Sequence, residues 1–270
     1  MRPVGWLREI RAIILDLDGV VYRGVQALPG AVAFLRRLER LGIPYVFATN
    51  NSAATPEQYA ERLGRLGIRV DPDRIVTSAV VAAEFLQTQA EPGTPVFVVG
   101  GEGLRRALEN AGFLLSGPAE ASFVVVGLDV EFTYAKLLDA CRAIRRGARF
   151  IATNRDPNLP VEGELWPGAG ALVAAIETAT GVSPVTVGKP ERPLFQAALG
   201  RLRSAPDKTL MVGDQLTTDV LGGRRMGMRT VLVLSGVASE AAPQGDLRPD
   251  LVVRNLAELD ALWPEPTDNG

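Results

Sequence analysis

The sequence contains no histidine, and that absence removes a large block of chemistry. Ser-His-Asp and Cys-His triads, imidazole acid–base catalysis and histidine-ligated zinc are all closed to it. Acid–base work must fall to carboxylates, Lys, Tyr or Cys. Cysteine is nearly absent too: Cys141 stands alone, so neither an intrachain disulfide nor a thiolate metal cluster can form. Lysine is scarce, with Lys136, Lys189 and Lys208 the whole complement and arginine supplying the other basic side chains. A genomic bias explains that skew most simply, yet each retained lysine is a compact point charge where its neighbours carry planar forks. No apolar run approaches the roughly 18 residues of a membrane helix, and the opening MRPVGWLREIR lacks a signal peptide's apolar core. A net charge of −2 gives no electrostatic footprint for nucleic acid. The expectation is a cytoplasmic protein with neither nucleic acid nor membrane as partner.

What the chain does contain is the make-up of an ordinary globular protein, with 270 residues, 47% hydrophobic and 22% charged. That length suits one large domain or two medium ones. Its most informative stretch is Ala12 to Gly24, AIILDLDGVVYRG. A short apolar run bounded by Gly reads as a strand buried on both faces. Asp16 and Asp18 fall at or just past its end, and the period of two lets both carboxylates point the same way. Two like charges that close repel unless a cation or a shared proton lies between them.

Further along, PGAVAFLRRLERL (29–41) has helical spacing between Pro and Gly42, and Pro44–Ala48 reads as the next strand of a βαβ unit. That strand runs into Thr49-Asn50-Asn51-Ser52. A helix over 55–66, a strand over 75–77 and a helix over 79–89 follow. Glu91-Pro92-Gly93-Thr94-Pro95 is the first strong break and Gly181–Pro184 the second. Between them the pattern gives strands over 96–99, 123–126 and 149–152 and helices near 103–111 and 134–146. A loop-like segment over 153–170 and a helix to Thr180 complete that part. Beyond the second break, Val185–Val187 reads as a strand ending in Gly188-Lys189-Pro190, followed by a helix over 193–203. Thr209–Val212 reads as a strand ending in Gly213-Asp214, and strands over 230–234 and 251–253 follow. The closing PEPTDNG is expected to be disordered. The fold class expected is α/β, a Rossmann-like parallel-sheet core over 1–89 and 184–270 with a smaller α/β domain inserted at 90–183.

Four buried strands thus end in polar groups: Asp16 and Asp18, Thr49 and Asn50, Lys189, and Asp214. Open parallel sheets bind ligands outside the carboxyl ends of their strands, so groups up to ~200 residues apart in sequence can converge. Three carboxylates, a lysine and several hydroxyl and amide donors make a kit for a metal and a phosphate.

In order and spacing, Asp16-Leu17-Asp18-Gly19-Val20, Thr49-Asn50-Asn51-Ser52, Gly188-Lys189-Pro190 and Gly213-Asp214 with Asp219 resemble the four motifs of the haloacid dehalogenase-like (HAD) phosphatases. Within that superfamily the chain is similar to the NagD-like, p-nitrophenyl-phosphatase branch, whose large cap lies between the second and third motifs. Gly100–Leu104, Gly127-Leu128-Asp129, Ala152-Thr153-Asn154 and Pro167–Gly170 resemble that branch's cap signatures. The resemblance spans nearly all of 10–255. It implies Mg²⁺-dependent hydrolysis of small phosphomonoesters through an aspartyl-phosphate on Asp16, with Asp18 as general acid and base. It implies a metal held by Asp16, the Asp18 carbonyl and Asp214, with Asp219 ordering its water shell. Lys189 would sit against Asp16 and the phosphoryl oxygens, and Thr49 with the Asn50 and Asn51 amides would hold the phosphoryl group. The partner implied is a small phosphorylated metabolite, and a homodimer through the cap would suit the branch. One departure is plain: Gln215-Leu216-Thr217 stands where the branch commonly has Arg-Leu-Asp or Arg-Leu-Glu.

Other readings of the same residues stay open at this stage. Asp-x-Asp-Gly also opens a calcium loop, but Val20 and Tyr22 occupy positions that need oxygen ligands. Gly101-x-Gly103 hints at a dinucleotide loop, but Arg106 stands where a third small residue is wanted. Asn154, Asp156 and Trp166 could reach a substrate or could belong to a plain loop, and Cys141 lies on an apolar helix face. Rival functions on the same fold are carbon–halogen hydrolysis, phosphotransfer between sugar phosphates by a mutase, and a phospho-ligand sensor without turnover.

Overall fold

The computed structural model describes residues 4–161, 164–236 and 245–264. Its first sheet has six strands in the order Leu251–Val253, Arg229–Val233, Thr209–Gly213, Ala12–Leu15, Tyr45–Thr49, Ile75–Thr77. Pairing is parallel from Leu251–Val253 through to Tyr45–Thr49. Every residue of Ala12–Leu15 is buried, as its unbroken apolar run demands. This strand has its successor in sequence on one side and the three later strands on the other, so the strand order reverses at its end. Leu15 is in register with both Phe47 and Val212, which brings Asp16 level with the Gly213-Asp214 end of the neighbouring strand.

Helix Ala31–Arg40 buries Ala31, Phe34, Leu35 and Leu38, one stripe at helical spacing. Gly30 precedes it with φ +84°, and a Cβ there would lie 2.1 Å from the Ala257 nitrogen, so glycine permits both the turn and the approach of helix Leu256–Leu262. That last helix starts at Asn255, whose side chain accepts from the Glu258 N–H.

The chain divides into two compact units, residues 1–48, 60–75 and 195–270 in one and 49–59 and 76–194 in the other. The sequence placed its boundaries at 89/90 and 183/184; by contacts, residues 49–59, 76–89 and 184–194 group with the inserted part. A second parallel sheet runs Val185–Thr186, Arg149–Ala152, Phe123–Val126, Pro95–Val99, Leu114–Leu115. Its core gathers Val124, Val126, Cys141, Ile144, Phe150, Val173 and Ile176 beneath helices Tyr134–Arg145 and Ala169–Thr180.

Several elements differ from the sequence expectation, among them the strand Leu114–Leu115 and the helix Leu256–Leu262, which it did not include. The strand Val185–Thr186 pairs with Arg149–Ala152 at the edge of the second sheet rather than joining the first, and Val187 continues the ladder by donating to the Ala152 carbonyl (3.1 Å). A two-residue strand carries no mark of which sheet it joins. The loop-like stretch 153–170 contains an antiparallel hairpin, Asn158–Val161 with Glu164–Pro167. Glu164–Pro167 is exposed throughout, and Asn158–Val161 alternates only between exposed and half-buried with a proline inside it, so neither presents the buried face that announces a strand. A small hairpin, Tyr22–Arg23 with Gln26–Ala27, also follows the first strand. Residues 265–270 of the expected disordered tail lie outside the described residues. Among the described residues no helix is long and apolar enough to cross a membrane.

Candidate active site

In the first unit the chain turns sharply after Asp16. The Leu17 carbonyl accepts from the N–H groups of Val20 (3.3 Å), Val21 (2.9 Å) and Tyr22 (3.3 Å), and Gly19, at φ +80°, donates to the Tyr22 carbonyl (2.9 Å). This turn separates the paired carboxylates: Asp16 is buried and Asp18 is exposed. The Tyr22 hydroxyl lies 3.4 Å from Asp18 Oδ2. Burial chiefly, and the Asp18 carboxylate next, push the Tyr22 phenol upward against the pull of Arg62, so it keeps its proton and serves as a donor.

Asp16 is joined in space by Asp214 and Asp219, all three buried, with one carboxylate oxygen from each lying within 4.8 Å of the others. Asp214 follows strand Thr209–Gly213. Asp219 comes from a π-helical turn, Leu216–Val220, an uncommon element that often marks functional positions. The Gln215 N–H donates to Asp219 Oδ2 (3.1 Å). Because that contact comes from the backbone, the side-chain departure at Gln215 leaves it intact, and Thr217 is exposed.

Glycines wall this cluster. A Cβ on Gly213 would lie 2.1 Å from Asp219 Cγ, one on Gly19 2.5 Å from Asp214 Oδ2, and one on Gly236 1.9 Å from the same oxygen. The Ser235 hydroxyl donates to the Gly19 carbonyl (2.8 Å), and the Arg23 guanidinium donates to the Ser235 carbonyl. Sequence reasoning did not single out Arg23, Ser235 and Gly236, which carry no chemistry of their own. Three buried carboxylates this close repel strongly, and oxygen-only donors suit a hard divalent cation such as Mg²⁺. The residues present fit such an ion.

The second unit holds the remaining motif residues. Thr49 Oγ1 accepts from the Asn51 N–H (3.1 Å), and Asn51 Oδ1 accepts from the Ala53 N–H (3.0 Å). Asn50 Oδ1 accepts from the Lys189 N–H (2.7 Å), while Asn50 Nδ2 donates to the Lys189 carbonyl (2.9 Å) and to Asp156 Oδ2 (2.9 Å). Lys189 is buried and joined to Pro190 by a cis peptide bond. Buried Ser52 and Ser78 serve the backbone here: Ser52 Oγ accepts from the Leu128 N–H (3.0 Å) and Ser78 Oγ donates to the Asn50 carbonyl (2.6 Å). A Cβ on Gly103 would lie 2.5 Å from the Ala54 carbonyl oxygen, so the Gly-x-Gly after strand Pro95–Val99 serves close packing rather than a dinucleotide. Cys141 lies in the second core, its thiol pushed up by burial.

The structure therefore brings Asp16, Asp214 and Asp219 together, leaves the Asp18 side chain outside that cluster, and ties Asn50 to the Lys189 backbone. Residues 13–114 match the model of the haloacid dehalogenase-like hydrolases, and 186–259 match a second HAD-hydrolase-like model. The chain is similar to an acid sugar phosphatase of Staphylococcus aureus, 40% identical over 93% of this chain and 97% of that protein. It is similar to the 5′-nucleotidase YutF of Bacillus subtilis, 38% identical over 93% of this chain and 98% of that one. Among solved structures, a 4-nitrophenylphosphatase from Thermotoga maritima superposes with a TM-score of 0.90 at 34% identity, over 96% of this chain and 99% of the other. With its acid cluster, its strand-end motifs and this likeness along almost its whole length, the chain belongs to the haloacid dehalogenase-like hydrolases, in their NagD-like, p-nitrophenyl-phosphatase branch.

Proposed function

We propose that this protein is a divalent-metal-dependent phosphatase of small phosphorylated metabolites that works through an aspartyl-phosphate on Asp16. The observation that carries the reading is the buried Asp16, Asp214 and Asp219 cluster at the carboxyl end of a parallel sheet, in a chain that has no histidine. Relatives named as a sugar phosphatase, a nucleotidase and a nitrophenylphosphatase point to phosphomonoesters as the substrate class.

In this reading Asp16 attacks phosphorus and splits one hard displacement into two easier ones. Asp18, exposed and within reach of the Tyr22 hydroxyl, protonates the leaving oxygen and then takes a proton from the attacking water. Asp16, the Asp18 carbonyl and Asp214 would hold Mg²⁺, with Asp219 steadying the site from behind. Bound there, the cation would lower the repulsion between phosphoryl oxygens and carboxylates. Thr49, the Asn50 and Asn51 amides and Lys189 would supply donors and positive charge to the phosphoryl group. The fold division that goes with this mechanism is a catalytic core over 1–89 and 184–270 and a cap over 90–183.

The test is release of inorganic phosphate from p-nitrophenyl phosphate and a panel of sugar phosphates and nucleoside monophosphates, with Mg²⁺ and with chelator. Wild type should release phosphate only with the metal, and Asp16→Asn should release none. Failure of wild type on the whole panel with Mg²⁺ would overturn the reading in favour of a sensor. Transfer to an added sugar phosphate without free phosphate would point to a mutase.

A further inference from the structure

The bonds around Asn50 have a feature that catalysis through Lys189 does not itself require. Both Asn50 amide hydrogens and its carbonyl oxygen are engaged, two with the Lys189 backbone and one with Asp156. The amide therefore has no donor left for a substrate. Asp156 is also tied back: its N–H donates to Asn154 Oδ1 (3.0 Å), and Asn154 Nδ2 donates to the Asn50 carbonyl (2.6 Å). Three residues thus close a ring, with the Lys189 peptide clamped on one side. Glycines let the ring form. A Cβ on Gly188 would lie 2.3 Å from the Thr153 carbonyl oxygen and 2.6 Å from Asn50 Oδ1. One on Gly170 would lie 2.3 Å from the Arg155 carbonyl oxygen, and one on Gly168 2.3 Å from the Asp156 carbonyl oxygen.

We infer that Asp156 is a positioning residue: it fixes the Asn50 amide in the one orientation that clamps the Lys189 backbone, and so aims the Lys189 amine. An asparagine amide has two flip states. Flipping this one would set Nδ2 against the Lys189 N–H and Oδ1 against both the Lys189 carbonyl and the Asp156 carboxylate, donor facing donor and acceptor facing acceptors. The Lys189 N–H and carbonyl favour one state, and Asp156, which only accepts when ionised, adds the third contact that holds the amide in it. Without Asp156 the Lys189 N–H and carbonyl still oppose the flip, but the amide loses its third anchor and the lysine its fixed origin. Asn154 and Asp156, which the sequence left between substrate contact and plain loop, become parts of one positioning device.

The inference rests on the phosphatase reading for what Lys189 does, so its test uses a readout that needs no turnover. The chain has three lysines, and amine acylation followed by mass spectrometry can follow each separately. In folded Asp156→Ala, Lys189 should label several-fold faster than in wild type relative to Lys136 and Lys208. Its kcat should fall about tenfold to a hundredfold with little change in KM, because a small misplacement of a catalytic group costs that much. Asp156→Asn, whose amide oxygen can still accept from Asn50, should restore most of both. Asp156→Ser, too short to reach, gives the same comparison should the alanine variant not fold. Unchanged Lys189 labelling with a raised KM for some substrates only would make Asp156 a substrate contact and overturn the inference. Unchanged labelling and unchanged kinetics would overturn it as well. Should wild type release no phosphate at all, the labelling ratio still decides the point.

Discussion

The two sets of motif residues differ in how they satisfy themselves. In the first unit Asp16, Asp214 and Asp219 put like charges within 4.8 Å of one another behind a wall of glycines. In the second, Asn50, Asn154 and Asp156 pair donor with acceptor around a closed ring. A cluster of like charge is stable only with something else in it, whereas a closed ring is complete as it stands. One set could take up a cation, and the other ties side chains to backbone. Substitutions should therefore depend on the metal in the first and be indifferent to it in the second.

The largest effect expected is at Gly236, where a Cβ would lie 1.9 Å from Asp214 Oδ2. Gly236→Ala should lower Mg²⁺-dependent phosphate release about a hundredfold, and retained activity at ordinary Mg²⁺ would show that the wall does not shape the cluster. Next comes stabilisation by the metal itself. At a hundred times its Kd, Mg²⁺ should stabilise wild type by about 2.7 kcal/mol, read as a rise in melting midpoint, and should leave Asp214→Asn almost unmoved. An equal shift in both proteins would break the contrast between the two sets.

Asn154→Ala should cost about 1–3 kcal/mol, the usual penalty for leaving buried partners unsatisfied, and the same amount with Mg²⁺ as with chelator. A cost that disappears on adding Mg²⁺ would tie the ring to the metal and remove the distinction. The smallest effect concerns Glu258, held below the ordinary carboxylate range first by the Arg254 N–H and then by its guanidinium. Its folded value is depressed, so its contribution is present at neutral pH and is lost as pH falls through that value. Glu258→Gln should therefore lower the melting midpoint slightly at pH 7 and not at all in strong acid. A deficit that persists in acid would mean the side chain acts by packing.

The same contrast explains what the sequence made legible. Asp16, Asp18, Lys189 and Asp214 stand out because each is a charged residue at the end of an apolar run, which demands a chemical reason. The parallel pairing in the first sheet, though not its strand order, followed from the alternation of buried strands with helices such as Ala31–Arg40. The ring was hidden because Asn50 and Asn154 act on backbone groups up to 139 residues away, and amides in a loop look alike whether they bind backbone, substrate or water. The placement of Val185–Thr186 was hidden for a related reason: two residues hold too little pattern to name a neighbour. Gly188, Gly213 and Gly236 were visible as glycines, but what their missing side chains make room for appears only when the Thr153 carbonyl and the Asp219 and Asp214 carboxylates are in place.

The central claim is that Asp16 carries the phosphoryl group. It can be examined by quenching the enzyme in acid during turnover of p-nitrophenyl phosphate with Mg²⁺, reducing with borohydride and digesting. An acyl phosphate at Asp16 would be reduced to homoserine at that position, and the account predicts homoserine at 16 in turnover samples and not in samples lacking substrate or metal. Steady phosphate release with Asp16 unaltered, or with the reduced residue elsewhere, would contradict it.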